Sequence, residues 1–258
     1  MVVAGTVAAL IGLFVVFGAL YTGMRMGKGG HVFSVRPIPA YDAIPEAIGR
    51  ATELGRPVMA VPGRADLNDA RAPQTLAGLA ILEYTARLCA KYDIPIIVPI
   101  HRANVYPLAQ ESVRMSYVTE GNPDRYQDGM VQFLSEEQFA FALGTVGLMQ
   151  RENAASVLLV GYFEAETIML AEAAGQMGAV LIGGCGSVTQ TPNLVAVCDY
   201  CLIGEELMVA DAYLNRRPAA LGTVAGQDWI KMIIIGLIAL GTLMGTVATN
   251  PLAALLKK

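Results

Sequence analysis

The sequence predicts an α/β protein: a doubly wound, mostly parallel Rossmann-like sheet flanked by N- and C-terminal transmembrane helices. Two observations carry the prediction. Between Ala154 and Gly186, SVLLVGY, EAETIMLAEAAGQMG and AVLIGGCG follow one another as strand, helix and strand, and a crossover of that length joins parallel strands with a right-handed turn. The 258 residues are 54% hydrophobic and 16% charged, with a mean hydropathy of +0.49. That is too apolar for an ordinary soluble chain, and the excess lies at the two ends.

Val2 to Met24 is an uncharged run long enough to cross a hydrocarbon core of about 30 Å. It lacks a basic leading segment and its apolar part is too long for a cleaved signal peptide, so it is expected to remain as a span. Ile230 to Asn250 is a second run, broken only by Lys231. The chain thus divides into a transmembrane helix over 1–24, a linker over 25–41, an α/β domain over 42–228, a transmembrane helix over 229–250 and a tail over 251–258. Gly12 in the first span and Gly241 and Gly245 in the second have the small size that lets membrane helices approach closely. Arg25, Lys28 and Arg36 follow the first span and Arg216, Arg217 and Lys231 attend the second. This places the middle in the cytoplasm and both termini outside, with Lys257 and Lys258 on the less favoured side.

The domain is read element by element. Asp42 to Leu54 places Ala43, Ile44, Ala47, Ile48 and Ala51 on one helical face and ends at Gly55. Val58 to Val61 is the first strand, and Pro62 to Pro73 the longest polar loop. Gln74 to Ala90 is a helix. Ile94 to Ile100 is the second strand, in which Pro95 and Pro99 favour edges or ends. Val105 to Glu120 is a helix and Met130 to Leu134 the third strand. Ser135 and Gln138 suggest a capping box before FAFALGTVGLMQR, a helix so poor in charge that both its faces should be covered, one by the sheet and the other by something else such as another subunit. Val157 to Val160 is an unbroken apolar strand suited to a sheet buried on both sides. The helix after it opens with Glu164 and Glu166, where the dipole favours carboxylates. Ala179 to Gly183 and Leu194 to Ile203 read as the last strands, and Glu205 opens the helix that follows.

In a doubly wound sheet ligands gather at the C-terminal ends of the strands. If the strands are as read, Arg64, Asp66, His101, Arg102, Tyr162, Glu164, Gly184, Ser187 and Glu205 fall at that edge as candidate ligand-binding residues. No catalytic set emerges. A GxSxG elbow is missing, and the glycine-rich Gly183 to Gly186 lacks both the P-loop lysine and GxGxxG spacing. Cys198 and Cys201 lie three apart in what reads as a strand, with thiols on opposite faces, so neither a metal site nor a cofactor is expected and the four cysteines read as buried free thiols. Residues 37–228 hold all 22 acidic residues and 12 of the 18 basic ones, a formal charge near −10. Such a surface repels phosphate backbones, so nucleic acid is not an expected partner.

At QTLAGLAIL (74–82), FLSEEQFAFALG (133–144), GYFEAETIMLAEA (161–173), CDYCLIGEEL (198–207) and GQDW (226–229) the chain resembles an uncharacterised prokaryotic membrane-protein family known only by a domain-of-unknown-function label. The resemblance covers nearly the whole chain and implies the same plan of two terminal membrane segments around an α/β domain. It brings no activity and no catalytic residues.

Three functions compete. The lead expectation is a homo-oligomeric membrane scaffold whose partners are the lipid bilayer and further copies of itself. The alternative is a small-molecule domain, binding or enzymatic, for a nucleotide or phosphate at the sheet edge. The third is a subunit of a multimeric pore, which the absence of intramembrane charge disfavours.

Overall fold

The computed structural model describes residues 4–29, 33, 36–216 and 218–246. His31 and the tail 251–258 lie outside them. The chain forms two compact units, Arg36–Asn215 and the pair of terminal segments, Met1–Val35 with Arg216–Lys258. In the terminal unit the first helix, α1 (Ala4–Lys28), carries no charge before Arg25.

The unit Arg36–Asn215 begins with α2 (Pro39–Leu54). Pro39 starts it, because a first-turn residue needs no N–H, and Gly55 closes it in the left-handed conformation, donating to the Ala51 and Thr52 carbonyls. Then follow β1 (Val58–Val61), α3 (Ala72–Tyr92), β2 (Ile96–Ile100), α4 (Tyr106–Thr119), β3 (Val131–Phe133), α5 (Gln138–Glu152), β4 (Ser156–Val160), α6 (Glu166–Gln176), β5 (Val180–Cys185), α7 (Thr191–Val197), β6 (Tyr200–Ile203), α8 (Glu205–Met208) and α9 (Ala210–Asn215).

The six strands are parallel in the order β3-β2-β1-β4-β5-β6. The α/β expectation therefore holds, and with the doubly wound order in which the chain steps outward one way, returns, and steps outward the other way. Strand pleating divides the core into two. On β1, Val58 and Ala60 join Ile44, Ile48, Ile81 and Leu82 on one face, while Met59 and Val61 join Phe141, Met149, Phe163 and Leu170 on the other. On β4, Leu158 and Val160 serve the first face and Val157 and Leu159 the second. Every position of β1, β2 and β4 is buried, which explains their unbroken apolar runs.

The two ends of this unit are joined by a clasp. Tyr41 stacks on Tyr213 with ring centroids 5.0 Å apart. The Tyr213 hydroxyl donates to Asp42 at 2.9 Å and accepts from the Ile38 N–H at 3.1 Å. Arg36 pairs with Glu206 at 2.7 Å.

Two local expectations are corrected. Leu194 to Ile203 is not one strand: α7 ends at Val197, Cys198 follows it, and only Tyr200–Ile203 pairs with β5. Apolarity alone does not separate a short buried helix from a strand. The capping box does not form, since Ser135 accepts from the Glu137 N–H and Gln138 reaches forward to Glu166 instead. The second strand is interior, with Pro95 just before its start and Pro99 one residue before its end, which fits the expectation of strand ends. The donor missing at Pro99 is tolerated because β1 pairs only as far as Ile97, so Pro99 faces β3 alone. Helix α5 buries one face and leaves Phe139 58% and Leu143 62% exposed on the other, so the second cover expected for it does not come from the described residues of this chain.

In the terminal unit α10 (Pro218–Thr246) runs as one helix, with Trp229 well inside it. Both α1 and α10 contain segments long and apolar enough to cross a membrane, Ala9–Lys28 and Pro218–Leu243. At about 1.5 Å per residue, α10 is roughly 43 Å long and exceeds a bilayer core. The two helices pack antiparallel through glycines that the sequence reading passed over. A Cβ on Gly23 or Gly27 would collide with the carbonyls of Gly222 or Pro218, and one on Gly226 would come within 2.8 Å of the Ala19 oxygen. Gly23 to Gly27 and Gly222 to Gly226 are thus two facing small-xxx-small motifs. Gly12 has open space around it, and Gly241 and Gly245 lie in the later turns of α10.

Candidate functional site

The strand order reverses between β1 and β4, and the loops leaving these strands meet there. Gly63 (φ 87°) and Gly161 (φ 135°) lie in backbone regions that suit glycine. A Cβ on Gly63 would sit 2.6 Å from the Tyr162 nitrogen, and one on Gly161 2.5 Å from the Pro62 oxygen. The Arg64 N–H donates to the Tyr162 carbonyl at 2.9 Å. Gly78 of α3 presses in beneath, its Cβ position 2.6 Å from the Val160 oxygen. The crevice where such sheets hold a dinucleotide is therefore closed here by the protein's own backbone.

Arg64 ties the loops together. Its guanidinium pairs with Glu164 and lies 3.7 Å from Glu166. Glu166 is fully buried, accepts from the Glu164 N–H at 2.9 Å and from the Gln138 amide, and so occupies the start of α6 with an internal carboxylate. Glu164 also accepts from the Tyr162 hydroxyl. That bond, with the nearby Arg64 and Arg71, holds the Glu164 carboxyl below the usual range. Burial and the same bond push the Tyr162 phenol up to about 12. Arg71 lies over the Tyr162 ring, 4.4 Å from its centroid.

His101 ends β2 and is fully buried. Its Nδ1 meets the Ser135 carbonyl at 2.8 Å. A carbonyl only accepts, so Nδ1 carries the proton and Nε2 keeps its lone pair. Among the described residues that Nε2 has no hydrogen-bond partner, and the Arg64 Nε makes only the 3.7 Å ion pair with Glu166. Burial chiefly, then the Arg102 and Arg64 charges, depress the His101 pKa, against the opposing pull of the Ser135 bond and Glu166.

Beside the closed crevice, one strand over, lies an open cleft of about 550 Å³ lined by Arg71, Gln74, Tyr162, Glu164, Ala165, Ser187, Thr189 and Gln190. It is framed by the loops after β1, β4 and β5 together with the start of α3. Another cavity of similar volume opens by the N-terminal ends of β2 and β3, among Asp93 to Ile97, Tyr117 and Arg125.

Of the residues expected at the edge, Tyr162, Glu164 and Ser187 line the cleft, and Arg64 supports it from behind. Asp66 accepts from the Asn68 N–H and the Asn104 amide, which lowers its carboxyl pKa and joins the β1 and β2 loops. Arg102 donates weakly to the Arg64 carbonyl at 3.4 Å. Gly184 lies within β5, its Cβ position 3.0 Å from Leu202. Glu205 starts α8 beyond β6, the outermost strand. Sequence reasoning missed Arg71, Gln74, Gln138 and Glu166. Arg71 sat in the polar loop already singled out, whereas Glu166 read as an ordinary first-turn acid. Burial drives Cys198 up to about 12 and Cys201 up to about 11. Cys198 follows a helix rather than lying in a strand. No group of three or more His, Cys, Asp or Glu suited to a metal occurs among the described residues.

No curated protein and no solved structure matches the chain. A family model described as "Domain of unknown function (DUF6754)" matches residues 2–256, and with that match over almost its full length, the chain belongs to this family.

Proposed function

We propose that this protein is a membrane-tethered, cytoplasm-facing α/β domain that binds a small polar molecule in the cleft between the β1, β4 and β5 loops. One observation carries the reading. The cleft opens at the strand edge where doubly wound sheets take ligands, and its wall, the Arg71–Tyr162 stack, is braced from behind by the Arg64–Glu164 pair. The anchoring rests on α1 and α10, each long and apolar enough to span, and the orientation on Arg25, Lys28, Arg216 and Arg217 at their inner ends. To test the site, the full chain in detergent is heated with and without the small-molecule fraction of a cell extract. Stabilisation of the wild type but not of Ala165→Trp, which fills the cleft, is the expected outcome. An equal response, or none in either protein, overturns the reading.

A second reading, a homo-oligomeric scaffold, draws on the apolar face of α5 and α6, where Phe139, Leu143 and Ile168 stand exposed.

A further inference from the structure

We infer that the closed crevice holds a single internal water molecule, bound between His101 Nε2, the Arg64 Nε–H and Glu166. The site lies behind the cleft and stands whether or not the cleft takes a ligand.

Topology brings the three side chains to one place. Strands β1 and β2 are neighbours in parallel register, so the residues that leave them, Gly63-Arg64 and His101-Arg102, run side by side. The Arg102 Nε accordingly lies 3.4 Å from the Arg64 carbonyl oxygen. Glu166 comes in from the start of α6, with one oxygen 3.7 Å from the Arg64 Nε. Helix α5 joins the same cluster: Gln138 donates to Glu166, and Phe141, a turn further on, has its ring 5.0 Å from the imidazole. Arg64 and Glu166 are both among the charges that act on the His101 ring.

What each group leaves unspent defines the site. His101 and Glu166 are fully buried. The Nδ1 proton of His101 goes to Ser135, which makes Nε2 an acceptor. Arg64 spends a terminal nitrogen on Glu164, but its buried Nε–H makes no hydrogen bond, since 3.7 Å to Glu166 is too long for one. Glu166 takes the Glu164 N–H on one oxygen and Gln138 on the other, and each carboxylate oxygen has a further lone pair. A buried acceptor, a buried donor and a carboxylate with capacity left thus share one cluster without satisfying one another.

These roles select the occupant. A metal cation would meet the Arg64 N–H and its charge. An anion would bring no proton for Nε2 and would lie against Glu166. A molecule with an organic part needs space that the close backbone contacts of Gly63 and Gly161 take up. Water accepts from Arg64, donates one proton to His101 and the other to Glu166, and so makes the roughly three bonds usual for a buried water. Held there, it fastens the loops after β1, β2 and β4 together from inside and fixes Arg64 where it braces Glu164.

The test uses the full chain in lipid. Histidine occurs only twice in the sequence, so nitrogen-labelled histidine gives two ring spectra, and His101→Gln identifies which belongs to His101 by its loss. Solid-state NMR is expected to show Nε2 unprotonated, shifted upfield as a hydrogen-bonded acceptor and receiving magnetisation from water protons. In Arg64→Met that transfer should be lost while the Nδ1–H bond to Ser135 persists. A protonated Nε2, an Nε2 with the shift of a free lone pair, or transfer that survives Arg64→Met overturns the inference. A high-resolution density map of the wild type checks the same point without a variant. A peak within about 3.2 Å of both His101 Nε2 and Arg64 Nε supports it; no peak, a protein atom in that place, or a peak that anomalous scattering shows to be a metal overturns it.

Discussion

His101 is held neutral by its surroundings: a buried ring, one nitrogen committed to Ser135, the other with no hydrogen-bond partner among the described residues, and two arginines opposing a second proton. Its folded pKa lies below the ordinary 6.5. An unfolded chain therefore takes up a proton before the folded one does. Stability is intact above about pH 6.5 and falls as pH drops through the window below it. Thermal melts from pH 7.5 to 5 should show this slope in the wild type and a flatter one in His101→Gln. Identical slopes would mean that the ring titrates as freely in the folded state as in the unfolded one. Part of this was legible beforehand. A histidine directly after an apolar strand was an evident candidate, but nothing in the sequence said that its partner is the Ser135 carbonyl, because that contact depends on how two loops distant in sequence lie together.

Among the elements, β1, β4 and β5 were readable because burial on both faces of a sheet demands continuous Val, Ile and Leu, and no other short pattern does so as cleanly. Helix α7 was not, since seven residues make too few turns for a period to show. On α5, Phe141, Leu148 and Met149 go inward while Phe139 and Leu143 remain outside. If this face joins copies of the chain, detergent-extracted wild type should give a multimer by light scattering, and Phe139→Asp with Leu143→Asp should reduce it to a monomer at unchanged helix content. A wild-type monomer rules the scaffold out. The glycine pairs do not supply that association. Gly23, Gly27, Gly222 and Gly226 are spent holding α1 to α10 within one chain.

At the scale of the whole molecule, hydropathy alone located both apolar helices, and the strand-helix-strand rhythm located the sheet. The start of α10 at Pro218 was hidden, because Gly222, Gln227 and Asp228 dilute the apolar signal ahead of Ile230. The proposed orientation predicts that protease added to sealed, right-side-out cells leaves the α/β unit whole, and that it is digested once the cells are opened. Digestion before opening reverses the topology. The Tyr41–Tyr213 clasp has a mechanical consequence. Helix α2, which carries the chain into the sheet, and α9, which carries it out, are fastened to each other. A tug transmitted along the two tethers would thus be borne by two stacked rings and a few hydrogen bonds, and the parallel strands behind them would feel no shear until that fastening gave way.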